Sequence, residues 1–598
     1  MRTENRLRGV FTVLAVAFDL LDKSIRVWRR PRLATQRQRS SRWLGVASSG
    51  GLRRGRSLAT STSMGFVVAM ATRLSVPLFG GGFDGGYKYD APVYYAAGMG
   101  LIHGRLPYRD FVLVHPPLIA FATTPFAALG EITTDRAGFI AANVAFTLLG
   151  ALNAALVVQL ARHIGLGTGA ATVGGLFYAM WAGSVSAEYE IRLEPLGNTL
   201  LLLGLLALLV GVRRDRQRLL FVAGTMFGLA VNVKIWWAVP ALVAVGWAFS
   251  HGAGRAARVT VGGLSIVLLL DLPMMLLTRG NMWTMAVTTQ LGRPRDTSSL
   301  TQRLWTLSGA EPLSQNSNAA AVGSLVLIGV AGLFAVAWRV PGCRLIVLIG
   351  IGQLAVLAVG PTWYSYYPDY FAVTLSASVA ALIAVLGSRD GLRSMAMPLA
   401  AVVVVGSFSL TVTRLTGGTK LVRPTPNPTA VTAVLAKSPC VASDSPMLLI
   451  AVDALGRSFD PGCHDWVDVY GLDGYTNRLG SRLVDSSIRP GLVNYLTSDG
   501  TAAINQKDPN ITHRQLDELR HRGRIRRVGS YLVSTGPPAH AGIRGSRPPY
   551  LRPVRRNAPQ PASARALSGR RLFRATDPCS PGLPGLPWIS SRRGASAS

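Results

Sequence analysis

Long apolar runs constrain this chain more than any other feature of its sequence. Eleven stretches of about 15–24 residues are almost free of charge, and a run near 20 can cross a hydrocarbon layer of about 30 Å. Apolar residues make up 49% of the chain and charged residues only 15%, which excludes a disordered protein and argues against a soluble enzyme. We therefore predict an α-helical fold, a polytopic transmembrane bundle.

The eleven runs give the predicted spans. They are 62–80, 137–160, 168–184, 196–212, 219–233, 235–250, 259–277, 318–338, 343–360, 366–387 and 394–413. A twelfth stretch, 116–130, begins with two prolines and has 15 residues. We expect it to lie in the interface or to re-enter the membrane.

Four regions follow from this pattern. A basic cytoplasmic segment, 1–60, precedes a transmembrane domain, 61–417, and a small extracytoplasmic α/β domain, 418–535; a Pro/Arg-rich tail follows, 536–598. We expect both terminal segments to be disordered. In the small domain, "DWVDVYG" and "RVGSYLVS" are predicted strands. Because Met64 lies at the start of the first long apolar segment, translation starting near it is a further expectation.

Arginines in the short loops predict the orientation. Arg213, Arg214, Arg216 and Arg218 mark one cytoplasmic loop, and further Arg pairs mark three others. Counting crossings from these loops puts 81–115, 185–195 and everything after 413 outside. Cys440 and Cys463 then share an oxidising compartment, and we predict that they form a disulfide.

The strong positive charge does not indicate nucleic-acid binding. Of the 33 excess positive charges, 25 lie in residues 1–60 and 512–598, and neither end has a nucleic-acid-binding pattern. We therefore expect no nucleic-acid partner.

The first outer loop, 83–118, is too polar and aromatic for a plain connector. Asp84, Asp90 and Asp110 are its acids, and its bases include Arg109 and His115. Asp90 can begin a helix that stacks it on Tyr94 at i, i+4. From the residues alone, Asp90 is either a general base for a hydroxyl group or a helix N-cap.

A second polar cluster, "SAEYEIRLEPLGN", is predicted on the same face. Glu190 and Glu194 lie four residues apart and would repel each other unless Arg192, a cation or a substrate offsets them. Arg192 would suit an anionic headgroup, since guanidinium binds phosphate bidentately. The alternative is a solvated loop before the next helix.

Two further features point to the same face. Lys234 lies between two apolar segments of about 15 residues, which suggests two short spans with the lysine at their outer turn; a phosphate could neutralise it, or it could snorkel to the interface. The stretch "PTWYSYYPDYF", 361–371, is either an interfacial aromatic belt or a wall for a sugar or lipid head, with Tyr364, Tyr366 or Tyr367 as donors. Asp271 also lies in an apolar run.

The chain has no GxxxxGK[ST] or GxGxxG loop, no serine-hydrolase elbow and no HExxH. An enzyme facing outward also lacks a ready supply of nucleotide sugars. A lipid-linked phosphate is therefore the more plausible activated substrate.

The stretch "YDAPVYYAAGMGLIHGRLPYRDFVLVHPPL" resembles the first outer loop of polyprenyl-phosphate-sugar-dependent membrane glycosyltransferases, the GT-C superfamily, nearest to protein-mannosyltransferase-like and actinobacterial mannosyltransferase-like members. Asp90 matches the family's acid, Tyr94 its tyrosine, and Gly104 to Tyr108 its turn. The last element, His115 to Leu118, also matches.

The resemblance implies that Asp90 acts as the base, with Asp84 as a rival, and that Arg192 and Lys234 hold the donor phosphate. A divalent cation is a possible cofactor, but Ala91 replaces the second acid of many relatives, which argues against it.

The partners would be a polyprenyl-phosphate-linked sugar, a cell-envelope glycan, lipid or protein acceptor, and membrane lipid. The activity implied is a hexosyltransferase, with mannose the favoured sugar. A transporter or flippase of lipid-linked glycans is the alternative; a scaffold would leave Asp90, Arg192 and Lys234 unexplained.

Overall fold

The structure is a computed structural model of the 598-residue chain. It describes residues 50–80, 83, 89–291, 298–309, 319–416, 428–438, 440–461, 463, 467–469, 471, 501–505, 517, 521 and 525–535. Asp84 and the 536–598 tail, both subjects of predictions, lie outside the described residues. So does most of the N-terminal segment, although its last residues form the start of the helix Gly50–Gly80.

Eight helices of the described chain are long and apolar enough to cross a membrane. They are Ser57–Phe79, Asp135–His163, Leu193–Arg213, Ala253–Leu277, Ala321–Trp338, Pro341–Val359, Tyr367–Ser388 and Asp390–Arg414. Each coincides with a predicted span, so the fold is the predicted multi-pass helical membrane bundle.

The other three predicted spans are shorter helices, Thr168–Met180, Gln217–Val233 and Ala238–Phe249. The prediction of one span over 168–184 is wrong in length. Its helix ends at Met180, Trp181 is extended, and four residues of helix follow at Ala182–Val185. The early end is possible because Thr72 and Thr411 donate to the carbonyls of Ala179 and Met180, which a longer helix would have used.

The remaining helices lie between or beside these. They are Asp90–Ile102, Leu118–Ile132, the short turns from Asn281 to Leu291, Leu300–Ser308, Thr429–Leu435 and Pro446–Ala451. The helix at 118–132 corresponds to the stretch predicted not to cross, and it packs on Asp90–Ile102: the Thr123 hydroxyl donates to the carbonyl of Tyr94 at 2.8 Å.

Small residues let two of the helices approach closely. Gly224 and Gly228 of Gln217–Val233 face Gly262 and Gly263 of Ala253–Leu277, and a Cβ on Gly262 would meet the backbone of Phe221. Helices in lipid gain packing and backbone contact when small residues line their interface. These four glycines therefore set the separation of the two helices.

The C-terminal part contains a four-stranded mixed sheet in the order β1-β2-β4-β3. Its strands are β1 Val441–Ser443, β2 Thr501–Asn505, β3 Ile525–Val528 and β4 Tyr531–Thr535. β1 runs parallel to β2, while β4 is antiparallel to both β2 and β3. Of the two predicted strands, "RVGSYLVS" forms the β3–β4 hairpin, but the prediction for "DWVDVYG" is wrong, since Val469 and Gly471 are helical.

The C-terminal part is fastened to the bundle. Cys440 and Cys463 form the disulfide that the topology predicted, with their Cα atoms 5.3 Å apart. The Asp135 carboxylate accepts from the backbone N–H of Leu455 at 2.8 Å, and Asp453 accepts from the N–H of Asp135 at 2.7 Å. These reciprocal bonds fix the segment that follows β1 on the start of a membrane helix.

Candidate active site

The loop 186–192 carries the central charges of the site, and it is buried rather than solvated. Glu188 and Glu190 are fully buried and Arg192 is 1% exposed. The N–H of Ile191 donates to the side-chain oxygen of Asn143 at 2.9 Å, which ties the loop to a neighbouring helix. The alternative of a solvated loop is therefore excluded.

Arg192 connects this loop to the helix that begins at Asp90. Its Nε and Nη2 donate to Glu190 Oε1 at 2.8 and 2.6 Å, and its Nη1 donates to Asp90 Oδ2. The Tyr366 hydroxyl donates to the same Asp90 oxygen at 2.8 Å. The guanidinium also lies 3.9 Å from the centre of the Tyr366 ring. Two of the predicted clusters and the aromatic stretch thus meet at one carboxylate.

Asp90 is not a helix N-cap. It lies in the first turn of its helix, and the preceding residue, Tyr89, makes no side-chain cap bond. Both donors to Asp90 bind Oδ2, and no donor in the described part of the chain binds Oδ1. This arrangement holds the carboxylate in place and leaves one oxygen to accept a proton.

Lys234 occupies the break between two short helices, as predicted. Its backbone is extended between Val233 and Ile235, and its Nζ donates to Glu194 Oε1 at 2.9 Å. The ammonium lies 3.7 Å from the ring centre of Trp236 and 4.2 Å from that of Tyr367. The side chain is 5% exposed, so the ammonium does not extend into bulk water.

These groups line a single cavity of about 250 Å³. The described lining residues are Tyr89, Asp90, Val93, Tyr94, Val114, His115, Arg192, Leu193, Lys234, Tyr364, Tyr366, Tyr367, Asp468 and Gly471. Residues from six separate parts of the chain therefore share one wall.

The other predicted residues divide into three groups. Tyr94 and His115 line the cavity in edge contact, with ring centres 5.9 Å apart, and Tyr364 stacks on Tyr366. Glu190 and Glu194 lie behind the wall as counter-ions of the two cations. Arg109 does not line the cavity and pairs with its neighbour Asp110 at 2.7 Å.

Tyr89, Asp468 and Gly471 also line the cavity, but they were not among the predicted site residues. Asp468 accepts from the Tyr89 hydroxyl at 3.1 Å, a contact between residues 379 positions apart. No local pattern marks such a partner, so the sequence alone held no signal for it.

Charge and burial set the protonation of the central groups. Burial lowers the pKa of Arg192, but the carboxylates of Glu190 and Asp90 outweigh it and raise that pKa well above its usual value. Burial, and then the Asp90 charge, raise the pKa of Tyr366 well above its usual value. Arg192 is therefore a permanent cation and Tyr366 a permanent hydrogen-bond donor.

The described residues do not fit a divalent cation. No group of three or more His, Cys, Asp or Glu side chains in the described ranges could hold a metal ion. The carboxylates of Asp90, Glu190 and Glu194 each have a cationic partner already.

Comparison with known proteins relates the architecture to one solved fold. No protein-family model matches the sequence, and no curated protein matches it. The chain is similar to ArnT from Cupriavidus metallidurans bound to undecaprenyl phosphate, with a TM-score of 0.50 and 14% identity over 82% of this chain and 100% of that chain. Archaeal oligosaccharyltransferase AglB from Archaeoglobus fulgidus, in complex with an inhibitory peptide and a dolichol-phosphate, gives a TM-score of 0.45 and 12% identity over 70% of this chain and 65% of that chain. The similarity to ArnT shows the fold alone: this chain has the membrane-helical fold of that protein.

Proposed function

We propose that this chain, which has the GT-C fold, is a membrane glycosyltransferase that moves a sugar from a polyprenyl-phosphate donor to a hydroxyl group of a cell-envelope acceptor. One observation carries the proposal: Asp90, Arg192 and Lys234 line the same cavity, although they come from three separate parts of the chain. A carboxylate and two cations are the groups that such a transfer requires.

Asp90 is the general base. Arg192 and Tyr366 hold its Oδ2, and Oδ1 takes the proton of the acceptor hydroxyl as the acceptor oxygen attacks C1 of the sugar. The bond between C1 and the phosphate oxygen breaks, and its electron pair stays on that oxygen. The leaving polyprenyl phosphate thereby gains one negative charge.

Arg192 and Lys234 stabilise that developing charge. Both cations line the cavity and are buried, so water screens their attraction for a phosphate little, although a buried glutamate offsets part of each charge. Loss of one such charge-stabilising donor typically costs about 3–4 kcal/mol of transition-state stabilisation. Glu190 and Glu194 accept hydrogen bonds from the two cations and hold them in position.

The sugar binds against the aromatic side of the cavity. Tyr364 and Tyr366 line the cavity with stacked rings, their planes 8° apart, and they give the sugar an aromatic surface to pack against. Mannose is the proposed sugar, from the resemblance of the loop 83–118 to mannosyltransferases. The arginine-rich loops support an extracytoplasmic position of the cavity.

The test supplies purified protein in proteoliposomes with radiolabelled polyprenyl-phosphate mannose and a crude envelope acceptor. We expect label to move to the acceptor in a time- and protein-dependent way. Transfer only from a different polyprenyl-phosphate sugar would correct the sugar. No transfer from any of them would refute the activity.

The face is tested separately, by labelling single cysteines placed at 90 and 192 with an impermeant reagent. Both should react only from outside. If the two cysteines reacted from opposite sides of the bilayer, residues 90 and 192 could not share one cavity, and the proposed site would be refuted.

A further inference from the structure

A segment of the C-terminal part forms part of the cavity wall. We call the described residues between Gly456 and Gly471 the arm. Arg105 anchors the arm, since its Nη2 donates to the carbonyls of Phe459 and Asp460, each at 3.1 Å. Phe459 packs against the rings of His103 and Phe111. The arm is thus fixed to the same loop that leads away from the Asp90 helix.

Asp468 is the charged residue of the arm that lines the cavity. Its Oδ1 accepts from the Tyr89 hydroxyl at 3.1 Å and from the N–H of Gly471 at 2.7 Å, and the residue is 5% exposed. The preceding residue, Val467, has φ of 59°. A β-branched residue adopts this left-handed conformation only when its surroundings enforce it. The backbone is therefore held in a strained form that presents Asp468 to the cavity.

The position of Asp468 indicates which of the two substrates, donor or acceptor, it would contact. Tyr89, its partner, is the sequence neighbour of Asp90, the proposed base, so Asp468 is joined to the element that carries the base. A carboxylate repels the donor phosphate and attracts hydroxyl groups, which donate to it. The molecule that loses its proton to Asp90 is the acceptor, so its neighbouring groups come within reach of Asp468.

We propose that Asp468 binds the acceptor, and that the acceptor is a polyhydroxylated, sugar-bearing molecule. This inference rests on the proposed function and adds the acceptor class to it. Adjacent hydroxyls of a sugar ring can donate together to one carboxylate, while the lone hydroxyl of a peptide side chain would be consumed in the reaction at Asp90. Asp468 is a binding residue that contributes to acceptor affinity and not to the bond-making step.

The experiment measures transfer from radiolabelled polyprenyl-phosphate mannose to n-octyl glycosides, with the acceptor and donor concentrations varied separately. We expect Asp468→Asn to raise the KM for the octyl glycoside about tenfold, the loss typical of a hydrogen bond to a charged group, while kcat and the donor KM change less than about twofold. Asp460→Asn is the matched control, because Asp460 lies in the arm but does not line the cavity and keeps its carbonyl bond to Arg105. That variant should behave as wild type.

A second variant keeps the test decisive if Asp468→Asn does not fold. Tyr89→Phe removes one hydrogen bond from the carboxylate, and it should raise the acceptor KM by about threefold with the donor KM unchanged. Equal rises in the acceptor and donor KM, or no rise in either variant, would overturn the role of Asp468. A serine-containing peptide that accepts the sugar better than octyl glycosides would overturn the acceptor class. Wild-type protein that transfers to no acceptor and retains no radiolabelled donor would instead refute the proposed function itself.

Discussion

The Asp90 carboxylate and the Arg192 guanidinium form an ion pair across 102 residues of sequence, and Arg192 is almost fully buried while Asp90 faces the cavity. The pair joins the first polar loop of the chain to the loop that precedes a membrane-spanning helix. A carboxylate held this way cannot turn away from an incoming substrate, because Tyr366 fixes the same oxygen.

Replacing Asp90 tests the base directly. Asp90→Asn keeps the shape of the side chain and removes its capacity to take a proton, so kcat should fall by about 10²–10⁴-fold. Arg192 retains Glu190, so the protein should still fold and elute as wild type in detergent. Asp84→Asn is the control and should remain active. An active Asp90→Asn variant beside an inactive Asp84→Asn variant would move the base to Asp84.

Replacing Lys234 tests the phosphate site. Lys234→Ala removes a cation from the cavity and leaves Glu194 buried without its partner. The double variant Lys234→Met/Glu194→Gln removes both charges and is therefore the cleaner test. We expect donor use, measured as kcat/KM, to fall by about 10²–10³-fold, with a smaller effect on acceptor KM. Equal effects on donor and acceptor would remove Lys234 from the phosphate site.

The pH dependence follows from the direction of the Tyr366 and Arg192 shifts. Both pKa values lie above their usual values, so both groups keep their protons to higher pH than in water. Between about pH 7 and about pH 10 neither should titrate, and the alkaline side of the kcat/KM profile should be the same in wild type and Tyr366→Phe. An alkaline decline near pH 10 that disappears in Tyr366→Phe would show that the tyrosine titrates normally.

The disulfide should stabilise the C-terminal part and not the bundle. Cys440 and Cys463 are 23 residues apart, and closing a loop of that size contributes about 3 kcal/mol in the chain-entropy description. Cys440→Ser/Cys463→Ser should therefore make the 428–535 region cleavable at lower protease concentration, as read by limited proteolysis. Cys343→Ser is the control, since Cys343 is a buried free thiol. Its proteolysis should match wild type, and equal cleavage of the disulfide variant would contradict the prediction.

The glycine contact between two membrane helices should tolerate no larger residue. A leucine at Gly262 would meet the backbone of the helix Gln217–Val233, and overpacking of this kind costs about 1–3 kcal/mol or more. Gly262→Leu should lower the unfolding temperature in detergent. Gly329→Leu, where the glycine has nothing nearby, should not. Equal stability of the two variants would show that the helices can separate without cost.

Much of the candidate site could be predicted from the sequence, because the order of membrane crossings determines on which side of the bilayer each loop lies. Counting crossings put the loops of Asp90, Arg192, Lys234 and Tyr366 on one face, and the structure brings these residues to one cavity. The length and apolar content of each run predicted which segments could span the membrane, and the eight long helices coincide with runs predicted in this way.

The predictions that were wrong concern segments whose structure depends on contacts with residues far away in the sequence. The helix at 168 ends early because Thr72 and Thr411 supply hydrogen bonds from other helices, and nothing between 168 and 184 encodes them. The long-range partner of Asp468 is Tyr89, 379 residues earlier, and nothing within "DWVDVYG" distinguishes that segment from an ordinary strand. Arg109 pairs with its sequence neighbour Asp110 and does not line the cavity.

The wall of the cavity is assembled from residues near both ends of the described chain, Tyr89 early and Gly471 late. A ribosome that has finished every membrane helix has therefore not yet supplied the whole cavity. The nascent protein acquires the described wall only when the chain has been synthesised beyond Gly471 and that segment has folded onto the bundle. A product truncated near residue 416 would insert normally and still lack one side of its pocket.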